Sequence, residues 1–329
     1  MPKTHVNLRS ARPLLDIASY ARRGPHERLS PQELEVIALT ARRTPEVMVK
    51  VSGGAATVQG SLAHLKYIDR EGELTIETDQ GERLQGADVE ADLVADWDLA
   101  LLAAEARAPY RGKPGRKGHK LVHNVVLSMP AGTPPERLLV ASRNFARESF
   151  ALQHRYAMVL HTGQSHPHVH LVIKAVREEG GRLNIRKSTL RDWRRQFAAH
   201  LRAQGIPANA TERAVRGQVR GASQDGVDRA ALRGESRRQE MRTERLMQRP
   251  QIAGAAADPG ARKLQGTRRA VVEGWHAVAD QLLNEGHAQL AQHVWKLIGG
   301  MPAPQTDDDR LRTSMALAVD THRRQERTR

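Results

Sequence analysis

The apolar positions of the chain switch between two spacings. Val47-Met48-Val49-Lys50-Val51 is a short β-branched run closed by Ser52-Gly53-Gly54, which predicts a strand and a backbone turn. From 57 to 70 the spacing becomes helical: Leu62, Leu65 and Ile68 share one stripe, while His64, Tyr67 and Arg70 lie on its neighbour. An acid-rich stretch follows at 69–98, strand-like over 74–78, and then a helix over 99–106. Runs at 121–129, 155–161 and 167–176 read as further strands. Between them Thr133-Pro134-Pro135-Glu136 reads as a capping box opening a helix. Residues 188–204 form another helix, with Leu190, Trp193, Phe197 and Leu201 on one face and Gly205 as the stop.

The two ends have a different texture. Ser30-Pro31-Gln32-Glu33 is a capping box with Pro at the first helical position, and it opens a helix to about 43. After about 224 the large apolar residues thin out. Arg229, Arg233, Arg237, Arg238, Arg242, Arg245 and Arg249 interleave with Glu235, Glu240 and Glu244, as in an exposed charged helix or a disordered arm. Residues 254–266 read as a linker of low hydrophobicity, and 267–298 as two short amphipathic helices carrying Trp275 and Trp295.

Charge narrows the function. The 329 residues hold 52 Lys+Arg against 37 Asp+Glu, a net +15, which points to a polyanionic partner, most simply nucleic acid. Only 3% of residues are aromatic, which argues against the usual stacking platform for single-stranded bases. There is no cysteine, so disulfides, thiolate nucleophiles and Cys-based zinc sites are excluded. No apolar run approaches the roughly 20 residues of a membrane helix, and the N-terminus lacks a signal-peptide pattern; a soluble, cytoplasmic protein without membrane insertion is expected. Residues 106–135 contain no acid, and Lys113, Arg116 and Lys117 sit there among Pro and Gly as candidates for gripping a phosphate backbone.

One stretch carries candidate chemistry. The chain has 15 His in 329 residues, about half of one per ten, yet 161–170 holds four. Alternation along a strand puts His168 and His170 on one face, with Val169, Leu171 and Ile173 on the other. A hairpin back to His161 brings three imidazoles to one point, a donor set for a divalent ion that leaves positions open to a reacting ligand. Imidazoles alone do not choose between Zn²⁺, Mn²⁺ and Mg²⁺. For phosphodiester chemistry the nucleophile is then metal-bound water, Ser/Thr or Tyr. By spacing alone, Tyr67 has no special claim over Tyr156, which reads as strand core.

These segments together resemble a known family. Val51-Ser52-Gly53-Gly54-Ala55 with His64-Leu65-Lys66-Tyr67-Ile68 is similar to motif I of the relaxase/mobilization nucleases, of the MobP type within the HUH endonuclease superfamily. The run 161–170 resembles their motif III, the histidine triad. The resemblance extends through 123–130, 182–187, 193–197 and Gly205-Ile206, and so covers about 47–220. Family members often carry an acid two residues after the first histidine, where this chain has Gly163.

The resemblance implies an α/β (α+β) fold with an antiparallel central sheet and flanking helices, plus helical extensions at both ends. The expected division is an N-terminal extension at 1–46, a nicking and strand-transfer domain at 47–222 and a basic region at 223–329. It assigns Tyr67 as the nucleophile that forms a 5′-phosphotyrosine link. His161, His168 and His170 would hold a divalent metal, Mg²⁺ or Mn²⁺ with Zn²⁺ as the alternative. Ser128, Arg182, Arg186 and Lys187 join Lys113, Arg116 and Lys117 as candidate DNA contacts. The implied partners are single-stranded or supercoiled origin-of-transfer DNA, accessory relaxosome proteins and a type IV secretion coupling protein. Transfer into a recipient cell with the bound DNA is the implied fate. Two other classes stand beside this reading: a nuclease using metal-bound water, and a catalytically silent DNA-binding protein.

Overall fold

The computed structural model describes residues 17–22, 28–107, 119–163, 166–218, 237–248 and 259–327. In chain order its elements are α1 (Pro31–Ala41), β1 (Met48–Gly53), α2 (Val58–Ile68), β2 (Ile76–Thr78), β3 (Arg83–Leu84), α3 (Val89–Asp96) and α4 (Leu99–Arg107). Then come β4 (Val122–Ser128), α5 (Pro135–Phe150), β5 (Tyr156–His161), β6 (His168–Lys174) and α6 (Lys187–Ala203). The last helices are α7 (Arg237–Gln248), α8 (Pro259–Asn284), α9 (Ala288–Gly299) and α10 (Asp307–Arg327). Short 3₁₀ helices lie at Ile17–Arg22 and Arg213–Arg216. The chain divides into two compact units, 44–210 and the pair of segments 1–43 and 211–329.

In the 44–210 unit the described strands form one antiparallel sheet in the order β1-β4-β6-β5-β2-β3. The fold is therefore α/β with an antiparallel central sheet and flanking helices, as the resemblance implies. Period-two alternation gives the sheet two faces. Val125, Leu127, Val169, Leu171, Ile173, Tyr156 and Met158 pack against α5 and α6, where Phe145, Phe150, Trp193 and Phe197 form a fully buried aromatic cluster. On the other face Val122, Val172, Ala157 and Val159 meet Leu65 and Ile68 of α2, Leu93 of α3 and Leu99 and Leu102 of α4. Partly buried ion pairs tie the far edge: Arg143 grips Glu77, and the Arg155 Nε lies 2.9 Å from Asp79. Tyr156 is core, as its strand position predicts.

The start of α5 differs from expectation. The N-cap is Pro134, which has no side chain to cap with, and the Thr133 hydroxyl donates instead to the Pro130 carbonyl at 2.9 Å. The segment before the helix is a turn that claims the threonine for itself, so the S/T-x-x-E pattern does not form a box there.

In the other unit α1 starts as predicted: the Ser30 hydroxyl accepts from the Glu33 amide and the Glu33 carboxylate accepts from the Ser30 amide at 2.9 Å. Glu33 also accepts from the Tyr20 hydroxyl at 2.8 Å. Trp275 of α8 is fully buried among Ile37, Val278, Leu282, Val294 and Leu297, and its indole donates to the Val215 carbonyl at 2.7 Å. Helix α8 begins at Pro259, so part of the expected linker is helix. Its Arg262, Lys263, Arg268 and Arg269 are the straight-chain residues that lose little rotamer freedom in a helix even where apolar periodicity is weak. No described helix is long and apolar enough to cross a membrane.

Candidate active site

The β5–β6 pairing sets the site. His161 lies directly opposite His168, and His170 opposite Val159, so the three imidazoles share the face turned toward α2. Their ring centroids lie 4.6 to 5.1 Å apart, and one nitrogen from each falls within 4.8 Å of the others. His161 and His168 are buried and His170 is half-buried. Sequence alternation predicted this convergence.

Hydrogen bonds orient two of the rings. His161 Nε2 faces the Ile68 carbonyl and His168 Nδ1 the His166 carbonyl at 3.0 Å. A ring nitrogen that donates to a carbonyl leaves its partner nitrogen with a free lone pair, Nδ1 in His161 and Nε2 in His168. Backbone carbonyls thus take the orienting part for both histidines. His170 Nδ1 is buried without a partner among the described residues.

Burial disfavours the charged form of His161 and His170. Burial, then the neighbouring His161, His168 and His64, pushes His170 down to about 3. His161 is lowered by burial, His168 and Arg70, against the opposing pull of the Ile68 carbonyl. Neutral imidazole is the form that ligates a metal, so a convergent trio in which His161 and His170 resist protonation fits a divalent ion.

Tyr67 stands over this cluster. Thr57 caps α2 by accepting from the Gly60 amide at 3.0 Å, and Ser61, Leu65 and Ile68 form the buried side of the helix. Tyr67 lies off that side, 66% exposed, with its ring 6.2 Å from His170 and 6.1 Å from His64 one turn earlier. The turn before α2 needs its glycine. Gly54 has φ +152°, and a Cβ there would meet the Val122 carbonyl at 2.4 Å.

Arg70 is the residue at this site that the sequence reading left out of its candidates, although it lies on the same helical stripe as His64 and Tyr67. Its guanidinium would sit 3.0 Å from a Cβ placed on Gly163. The position where family members often carry an acid is thus occupied, in space, by a cation. Next to it Asp69 is buried with one carboxylate oxygen unpartnered among the described residues, and burial together with a hydrogen bond to Glu90 raises its carboxyl to about 6.

The other candidates separate. Ser128 faces His168 across β4–β6, is buried and donates to the Pro167 carbonyl at 3.3 Å, which stitches the histidine hairpin to β4. Arg182, Arg186 and Lys187 lie away from the triad, around the start of α6; Arg182 donates to the Lys120 carbonyl, and Thr189 accepts from the Arg186 amide at 3.2 Å. Lys113, Arg116 and Lys117 fall outside the described residues.

A protein-family description, relaxase, MobA/VirD2-like, nuclease domain, matches residues 71–206 and so includes all three histidines. Residues 71–206 are therefore similar to the relaxase nuclease domain. Tyr67 and the Gly53-Gly54 turn lie just before the matched stretch. Among curated proteins, the chain is 26% identical over 184 residues to the T-DNA border endonuclease VirD2 of Rhizobium radiobacter, covering 52% of this chain and 43% of that protein. It is 25% identical over 135 residues to the VirD2 endonuclease of Rhizobium rhizogenes, covering 39% of this chain and 30% of the relative. The match thus spans less than half the length of these curated relatives.

Proposed function

We propose that the chain is a conjugative DNA relaxase that nicks one strand of transfer-origin DNA with Tyr67 as nucleophile. The observation that carries this reading is the exposed Tyr67 ring 6.2 Å from His170, over three convergent imidazoles. An exposed tyrosine in the last turn of a helix contributes little to stability, whereas over a candidate metal cluster it is placed for attack on a phosphodiester.

Tyr67 Oη attacks the scissile phosphorus, the new Oη–P bond forms in line and the P–O3′ bond breaks. The phenol loses its proton overall and the leaving 3′-oxygen gains one, so a free 3′-hydroxyl can run the step backward. His161, His168 and His170 would hold the divalent ion, Mg²⁺ or Mn²⁺ with Zn²⁺ as the alternative, whose Lewis acidity stabilises charge on the non-bridging oxygens. The backbone carbonyls of Ile68 and His166 fix the ring orientations from behind. Arg70, held against Gly163 beside His161, supplies a cation where the phosphate arrives.

Strand transfer, accessory relaxosome proteins, a type IV secretion coupling protein and transfer into a recipient cell belong to the same proposal. The experiment mixes the chain with single-stranded oligonucleotides tiled across the DNA flanking its gene, with Mn²⁺ or Mg²⁺, and resolves the products on denaturing gels. A protein–DNA adduct that disappears with chelator and in Tyr67→Phe is the expected result. Cleavage without adduct that survives Tyr67→Phe identifies a nuclease using metal-bound water. Binding without cleavage on every tile, unchanged in the His168→Ala/His170→Ala double variant, identifies a silent DNA-binding protein.

A further inference from the structure

A second charged concavity lies on the other face of the sheet. His123 on β4 pairs with Ile173 of β6 and shares the face of Val125 and Leu127, turned toward α5 and α6. Beside it is a cavity of about 730 Å³, in the range of small-molecule sites. Its polar lining includes Lys120, His123 and Arg182, and its apolar wall is Leu183, Ile185 and Leu190.

Among the described residues that line it, none is acidic. Lys120 Nζ is held by the Gly53 carbonyl at 3.0 Å, and the Arg182 guanidinium by the Lys120 carbonyl. Among the described residues these cations thus rest on neutral oxygens, and the adjoining 108–118 contains no acid to neutralise them. The 17-residue helix α6 starts at the rim with no acid in its first turn, which leaves the positive end of its dipole uncompensated. Burial, then Lys120 and Arg182, lowers His123 to about 4, so the ring enters as a neutral partner whose Nδ1 is buried and unpaired among the described residues. Two cations without counter-charges, a helix N-terminus and an apolar wall together suit a phosphate ester carrying a flat, weakly polar body.

We infer that this cavity binds a nucleotide through its phosphate, with Lys120 and Arg182 on the phosphate and Leu183, Ile185 and Leu190 against the base or sugar. His123 lies five positions along β4 from Ser128, the neighbour of His168, which is about 17 Å of strand, and on the opposite face. The nucleotide held there is therefore not the one being cut. On the relaxase reading, on which this step rests, it is a distant nucleotide of the same DNA strand, carried round the free edge at β1.

The test uses the full chain with chelator present, so that no cleavage enters the measurement. Fluorescein-labelled oligo-dT probes the strand, and thymidine monophosphate probes a free nucleotide. In the unaltered protein, oligo-dT protects Lys120 from amine acetylation read by mass spectrometry. Arg182→Gln weakens oligo-dT binding about tenfold and reduces the slope of log affinity against log salt by about 0.7, the signature of one lost phosphate contact on a single strand. A merely structural arginine would not move that slope. Equal protection by thymidine monophosphate makes a free nucleotide the source, whereas protection by oligo-dT alone makes it the strand. Lys120 that acetylates equally with and without both probes overturns the inference, as does an unchanged slope in folded Arg182→Gln. Should Arg182→Gln not fold, the footprint on the unaltered chain decides. Neither readout depends on Tyr67, so failure here leaves the nicking proposal standing, and failure of the nicking test leaves this one.

Discussion

The two faces of the sheet put the same strands to opposite uses. Toward α5 and α6, residues at alternate positions of β4, β5 and β6 are apolar apart from His123 near the start of β4, and the helices close over them with four aromatic rings in edge-to-face contact. Toward α2, the alternate positions begin apolar at Val172, Ala157 and Val159 and end in His161, His168 and His170, where Tyr67 stands exposed above them. One face stabilises through burial. The other gives up burial at one end of the strands and gathers three imidazoles there. Because side chains alternate, a register slip of one residue in β6 would turn its histidines into the core and its apolar residues outward. The dry face therefore fixes the reactive one.

The largest expected effect is on the dry face. Phe145 is fully buried against Phe150, Trp193 and Phe197, so Phe145→Ala should destabilise the protein by about 3–5 kcal/mol, measured by urea unfolding. A loss as small as that of an exposed residue would break the division between the faces. On the polar face, Mn²⁺ at a hundredfold excess over its dissociation constant should stabilise by about 2.7 kcal/mol. The gain should vanish in the His168→Ala/His170→Ala double variant, and the measurement is a thermal melt with and without metal.

A pH series sharpens the contrast further. His123 has its value depressed to about 4 from an ordinary 6.5, so the unfolded chain takes up the proton first. Stability attributable to this group is complete above about 6.5, falls as pH drops toward 4 and is constant below. Asp69, raised to about 6, acts in the opposite direction: its contribution grows as pH falls from about 6 toward 3.8. Melting temperature against pH should therefore fall less steeply on acidification in His123→Gln than in the unaltered protein, and more steeply in Asp69→Asn. The smallest expected effect is at Tyr67, whose 66% exposure predicts a stability change within about 0.5 kcal/mol for Tyr67→Phe in the same urea series.

Much of this was legible locally. Alternation alone placed His168 and His170 on one face and Val169, Leu171 and Ile173 on the other, and helical spacing put Tyr67 one turn from His64. What was not legible depends on contacts between distant positions. The Ile68 carbonyl that orients His161 is 93 residues away. The approach of Arg70 to Gly163 and the pairing of Asp69 with Glu90 need the folded backbone before they exist. The Thr133 pattern misled for a local reason, because the same hydroxyl serves a turn carbonyl three residues back. In the helical unit, the burial of Ile37 among residues of α8 and α9, more than 200 positions later, leaves no mark in the pattern of either segment.

The central claim is that the exposed phenol above the histidines is the group that takes the DNA. The most direct measurement is peptide mapping by mass spectrometry of the covalent product formed with the cleaved oligonucleotide. The sequence holds four tyrosines, at 20, 67, 110 and 156, and digestion after Lys66 and Arg70 isolates Tyr67-Ile-Asp-Arg70. The account predicts that this short peptide carries the nucleotide mass. The same mass on a peptide containing Tyr20, Tyr110 or Tyr156, or on a serine or threonine peptide, would contradict it.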